Sequence, residues 1–194
     1  MGLSCRETVE TSRTRTEVDH TVAAQECVAV FQIGARRHYA VPNGLAAIGA
    51  LARLVTDIYA GVLPWRMVTY VPPFLRSEGI QRLLGRSAAN LDRSCVTSLP
   101  LFVLRESFRR FHRAKEVSQS AVWARQNRAF GLAACRRIPR NATAVYAFNG
   151  AALEIFQEAK RRKVRCVLDQ TSAPWRYNRD LLTTERDQIG RAHV

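Results

Sequence analysis

The chain has no uncharged apolar run approaching the ~20 residues that a membrane-spanning helix requires; its longest candidate, residues 45–55, is short and contains Arg53. A spanning helix is therefore not expected, and the chain reads as soluble. The N-terminal segment MGLSCRETVETSRTRTEVDH lacks the apolar centre of a secretory signal, and Arg6 stands where a myristoylation motif calls for Ser or Thr. Export is not expected, so the cytoplasm is the expected location. The cysteines Cys5, Cys27, Cys95, Cys135 and Cys166 are odd in number and widely spaced, with no CxxC pair and no histidine pattern for zinc. Reduced thiols account for them better than a disulfide framework or a metal site.

Catalytic signatures are missing too. One glycine, Gly34, follows the first apolar run, which is not the G-x-G-x-x-G fingerprint, so a nicotinamide or flavin cofactor is unsupported. The chain has no P-loop, nucleophile elbow, paired catalytic carboxylates or metal-ligand cluster. His20 and His112 have no recognisable partner, and no catalytic base is identified.

Acidic residues are few: 16 Asp and Glu against 30 Lys and Arg give a net charge of +14. A concentrated basic face would point to nucleic acid or an anionic membrane. The arginines, however, are spread through the predicted helices and loops, among them Arg82, Arg86, Arg105, Arg109, Arg125, Arg128 and Arg136. No aromatic residues interleave with them as base-stacking platforms would. A solvated surface with some pull toward acidic lipids or anionic substrates is the favoured reading over nucleic acid.

What the chain does have is a globular composition, 47% hydrophobic over 194 residues, enough for one domain with a substantial core. Residues 1–24, rich in Thr, Glu and Arg, are expected to be a disordered leader; the domain is expected over 25–188. A strand is predicted over 27–33, a glycine loop over 34–39, a helix over 41–50 with Pro42 tolerated in its first turn, and a second strand within 53–59 ending in Asp57. Pro64, Pro72, Pro73 and Gly79 break the next stretch, leaving one short helix over 80–84. A third strand over 95–99 and helices over 101–111 and 119–136 follow.

The segment AVYAFNGAALEIFQEAKRRKVRCVLDQTSAPW then reads as a complete strand, turn, helix and strand. Its helix places Ala152, Ile155, Phe156 and Ala159 on one face. Glu154 lies near the positive N-terminal end, and Lys160, Arg161, Arg162 and Lys163 crowd the negative end. Strands alternating with helices define an α/β fold with a doubly wound, mostly parallel sheet.

Ligands of open parallel sheets bind beyond the carboxyl ends of the strands, which places Asn149, Gly150, Asp169 and Gln170 on the expected ligand side. The loop at Gly34, with Arg37 and His38, offers backbone amides and cations to hydroxyl or phosphate groups. The alternative is that Arg37 and His38 are merely solvated and Tyr39 packs on the helix behind. Asp57 at a strand end suits sugar hydroxyls, although capping is the commoner duty of such a residue. Asn149-Gly150 is also a generic turn signal.

The blocks GARRHYAVPNGLAAIGALARLVTDIYA and AFNGAALEIFQEAKRRKVRCVLDQTSAPW resemble the N-terminal domain of a glycosyltransferase of the two-Rossmann-domain (GT-B) type, among the family-four-like enzymes. The resemblance covers residues 27–187 and implies a Rossmann-like sheet. It implies that this domain binds a sugar or lipid-linked acceptor, with peripheral contact to an anionic membrane, while a C-terminal domain of the same chain binds the nucleotide-sugar donor. It implies no other cofactor and no metal. By the resemblance, Gly34, Arg37, His38 and the Asn149-Gly150 turn face the interdomain cleft. Retaining members often carry a histidine in a loop near the reacting sugar; here Asn149 stands in its place.

The final hexapeptide, IGRAHV, is what the codons ATC GGA AGA GCA CAC GTC of a widely used sequencing adapter encode. Residues 189–194 are therefore expected to be adapter read-through, with the natural chain continuing past Gln188 and the 194 residues inactive alone. Two other readings stay open: a stand-alone α/β sugar- or nucleotide-binding module, and a basic nucleic-acid-binding protein.

Overall fold

The computed structural model describes residues 26–112 and 118–192; the expected leader lies outside them. Five short strands, β1 (Val28–Gln32), β2 (Leu51–Thr56), β3 (Val96–Ser98), β4 (Ala144–Phe148) and β5 (Arg165–Asp169), form one sheet. Its order is β3-β2-β1-β4-β5, and every neighbouring pair is parallel. The central strands read as continuous apolar runs because helices cover both their faces. Along β1, Ala29 and Phe31 point into one layer and Val30 into the other, as the period of two demands.

The first layer packs Ala29, Phe31, Val55, Val145 and Ala147 against Phe130 and Ala134 of α4 (Gln119–Ala134) and Ile155 and Ala159 of α5 (Leu153–Arg161). In the second layer Val30, Leu54 and Val96 meet Tyr39, Tyr59 and Leu91, flanked by α1 (Ala40–Ala47). The excursion between β2 and β3 carries α2 (Glu78–Leu84), and α3 (Pro100–Phe111) follows β3 on the α4 side. This is an α/β, doubly wound, Rossmann-like sheet. The helix after β1 goes to one face and the helix after β4 to the other, so the loops of these adjacent strands part and open a crevice between them.

Several boundaries differ from the sequence reading. The second strand begins at Leu51, opposite Val28, and ends at Thr56, because the Thr56 and Asp57 carbonyls both turn to accept the Leu99 amide. Asp57 is thus the first residue past the strand. Asp169 is the last residue of β5, paired with Phe148, and does not follow the strand as expected. α5 stops where Lys163 adopts a left-handed φ of 59°, closed by the Val164 amide on the Ala159 carbonyl. The unforeseen element is α6 (Trp175–Ala192), whose side chains, where described, are almost all exposed. Among the described residues no helix is long and apolar enough to cross a membrane, and the four described cysteines are free thiols.

Candidate functional site

The loop leaving β1 sits at the edge of the crevice. Gly34 turns with φ 74°, its amide donates to Asp57 Oδ1 at 2.8 Å, and its carbonyl accepts from the buried Gln32 side chain at 2.9 Å. Asp57 also accepts from the Thr56 hydroxyl at 3.1 Å and pairs with Arg86 at 3.0 Å. Its carboxylate thus accepts from three protein donors: it pins the glycine loop to the end of β2 and holds the cation of Arg86 in place.

Beyond Gly34 the backbone enters a left-handed turn. Arg37, His38 and Tyr39 follow one another at φ 49°, 48° and 61°, a conformation that costs an L-residue roughly 1–2 kcal/mol each. Side chains hold two of the three. The Tyr39 ring is buried edge-on against Tyr59 at 5.4 Å, and its hydroxyl is pushed to a higher pKa, first by burial and then by the nearby Asp57 charge. Arg37 reaches across β4 to Asp169 at 3.1 Å. Asp169 accepts in turn from the Tyr146 hydroxyl at 2.6 Å. Burial, the hydrogen bond and the Asp169 charge together raise that phenol to about 12, so it stays a proton donor at physiological pH. The His38 imidazole is exposed.

After β4, Asn149 is bound into the turn that follows β5: it donates to the Ser172 hydroxyl at 2.7 Å and accepts from the Thr171 hydroxyl at 2.6 Å. Gln170 closes the same turn by donating to the Ser172 carbonyl. Gly150, at φ 95°, lies so close to α4 that a Cβ there would stand 3.0 Å from Asn127 Nδ2.

Beyond the carboxyl ends of β1 and β2, and closed on its far side by α3 and α4, lies a cleft of about 390 Å³. Its floor is Ile33, Asp57 and Ile58 at the ends of β1 and β2; Arg36 and Arg86 flank it, and its far wall is Phe102 and Glu106 of α3 with Trp123 and Asn127 of α4. Glu106 is buried and pairs with Arg109 at 3.1 Å and Arg125 at 3.7 Å. One indole, two cations, paired carboxylates and the amides of Gln126 and Asn127 form a polar mouth over an apolar wall. No group of His, Cys, Asp and Glu among the described residues is placed to hold a metal ion. A second hollow of about 610 Å³ lies beyond β2, between residues 59–70 and 84–93, and takes no wall from β1 or β4.

The structure thus sorts the expected site residues into three groups. Gly34 and Asp57 join at the cleft floor; Arg37 joins Asp169 behind it; Asn149 and Gln170 share the turn at Ser172. Of the eight, Asp57 alone lines the cleft, and Gly150 abuts its wall through Asn127. The sequence offers none of Arg36, Glu106, Trp123 and Asn127 as a site residue, and Arg86 only as one of many arginines. Glu106 left a signal, an acid four residues after Phe102 on the inward side of a helix. Arg86 left none, because its approach depends on the path of the long excursion after β2. Compared with protein-family models, curated proteins and solved structures, the chain finds no match.

Proposed function

We propose that this chain is the acceptor-binding lobe of a two-lobed GT-B glycosyltransferase, acting in the cytoplasm and depending on a second lobe for the nucleotide-sugar donor. One observation supports this reading most: the 390 Å³ cleft beyond the carboxyl ends of β1 and β2, with the cation of Arg86 held by Asp57 and an exposed indole at its rim. The two sequence blocks that resemble these enzymes provide the β1 loop with α1 and β2, and the last two residues of β4 with α5 and β5. The thiols of the four described cysteines are unpaired, which fits a reducing compartment.

In this reading the cleft binds and orients. Asp57 and Glu106 are already neutralised by Arg86, Arg109 and Arg125, so they present fixed dipoles and not a free base. Arg36 and Asn127 are left to meet substrate hydroxyls, and Trp123 offers its ring to a sugar face. A general base or a phosphate-binding helix terminus belongs to the donor side.

Calorimetric titration of the 194-residue chain with alkyl glycosides and with nucleotide-sugars tests the assignment, together with an assay for sugar transfer. Glycosides are expected to bind, Asn127→Ala to weaken them about tenfold, and no transfer is expected. Nucleotide-sugar binding tighter than glycoside binding, or turnover of a nucleotide-sugar by this chain, would overturn the reading.

A further inference from the structure

The outward side of α3 is built the wrong way round for a surface helix. Leu101, Leu104, Phe108 and Phe111 recur at one helical face and are exposed by 80%, 67%, 65% and 85%, while Phe102 and Glu106 take the inward side. A stripe of four large apolar side chains in water marks a contact surface. Beside it, between α3 and α4, runs a groove of about 530 Å³ lined by Arg105, Arg109, Arg125, Arg128 and Arg136. Against these five arginines stand two carboxylates, Glu106 and Glu154, so the groove keeps a surplus of three positive charges. These arginines are scattered along the sequence, and the packing of α3 on α4 gathers them.

We propose that α3 and this groove dock the protein on the surface of an anionic lipid bilayer, the apolar stripe entering the acyl boundary and the arginines holding lipid phosphates. Neither feature alone selects the partner, but the pair does. A second copy of this chain, with net charge +14, would set arginine against arginine. Nucleic acid would satisfy the groove and leave Leu101 and Leu104 in water. An anionic bilayer supplies an apolar layer directly beneath a layer of negative charge, and helices of this pattern lie in that plane. The inference does not depend on the glycosyltransferase reading.

The test is co-sedimentation of the full chain with phosphatidylcholine vesicles, with and without phosphatidylglycerol. Binding is expected only with the anionic lipid and is expected to fall as salt rises. Arg105→Glu with Arg136→Glu should weaken it at least about 25-fold, from roughly fivefold per arginine lost. Phe108→Ser with Phe111→Ser should also abolish pelleting, and since both rings are exposed the circular dichroism spectrum should not change. Arg82→Glu with Arg186→Glu, the same charge change on α2 and α6, should bind more tightly than the groove variant by about tenfold or more. The proposal is overturned if no vesicle binds, if the two charge variants bind alike, if the serine variant binds as the parent does, or if RNA displaces the chain from vesicles through the arginines while the stripe variants bind unchanged.

Discussion

Asp169 serves two partners at once, Arg37 from the β1 loop and the Tyr146 hydroxyl from β4. Asp169→Asn keeps the shape and removes the charge. The Tyr146 phenol, now at about 12, is then expected to ionise at a lower pH, because the carboxylate that opposed phenolate is gone while burial remains. Ultraviolet titration of phenolate reads that change, and denaturant unfolding should show a loss of about 2 kcal/mol for the two charge-assisted bonds. His38 calls for the opposite sign. Its backbone is left-handed at φ 48° and its side chain is exposed, so His38→Gly should raise stability by about 1 kcal/mol in the same unfolding measurement. A loss of stability would show that the imidazole holds the turn. Nothing in the letters Arg-Arg-His-Tyr announces a left-handed turn, since glycine is the residue that normally signals one; only the buried Tyr39 and the tethered Arg37 make it affordable.

At the scale of elements, α5 ends on a charge fork in which Glu158 accepts from Arg161 and Arg162. The Arg161 bond first, then the Arg162 bond, hold the Glu158 carboxyl down at about 2. A carboxyl with a lowered folded value stabilises the helix above its unfolded range and loses that contribution as pH falls toward the folded value. Hydrogen exchange at the last turn of α5 should therefore lose protection between about pH 4.5 and pH 2. Glu158→Gln should have the weaker protection already at neutral pH and no dependence across that window. Here sequence reading served well: the apolar period of α5 and the basic cluster at its end placed the helix within a residue or two. The strands were legible because the central ones are apolar on both faces, and their ends were less so because pairing with neighbours, not propensity, decides where they stop. α6 went unread because its apolar residues, Tyr177, Leu181, Leu182 and Ile189, lie among many charges and meet no core.

For the molecule as a whole, the order β3-β2-β1-β4-β5 sets the place of the site more firmly than any single residue does. To within a residue or two the sequence showed where the strands end, and so brought Gly34, Asp57, Asn149 and Asp169 to one edge of the sheet. It did not show that Asp57, Asn149 and Asp169 are engaged by bonds to the protein, nor that α3 and α4 bring Glu106, Trp123 and Asn127 to face Asp57 across the cleft; those contacts join parts of the chain far apart in sequence. Backbone amide chemical shifts of the 15N-labelled chain, followed during titration with an alkyl glycoside, test the account most directly. The expected result is a set of shifts confined to residues 33–36, 57–58, 106–107 and 123–127, saturating together and needing about tenfold more glycoside in Asn127→Ala. Shifts centred instead on residues 59–70 and 84–93, or none for any glycoside while a nucleotide-sugar perturbs the β1 loop, would contradict it.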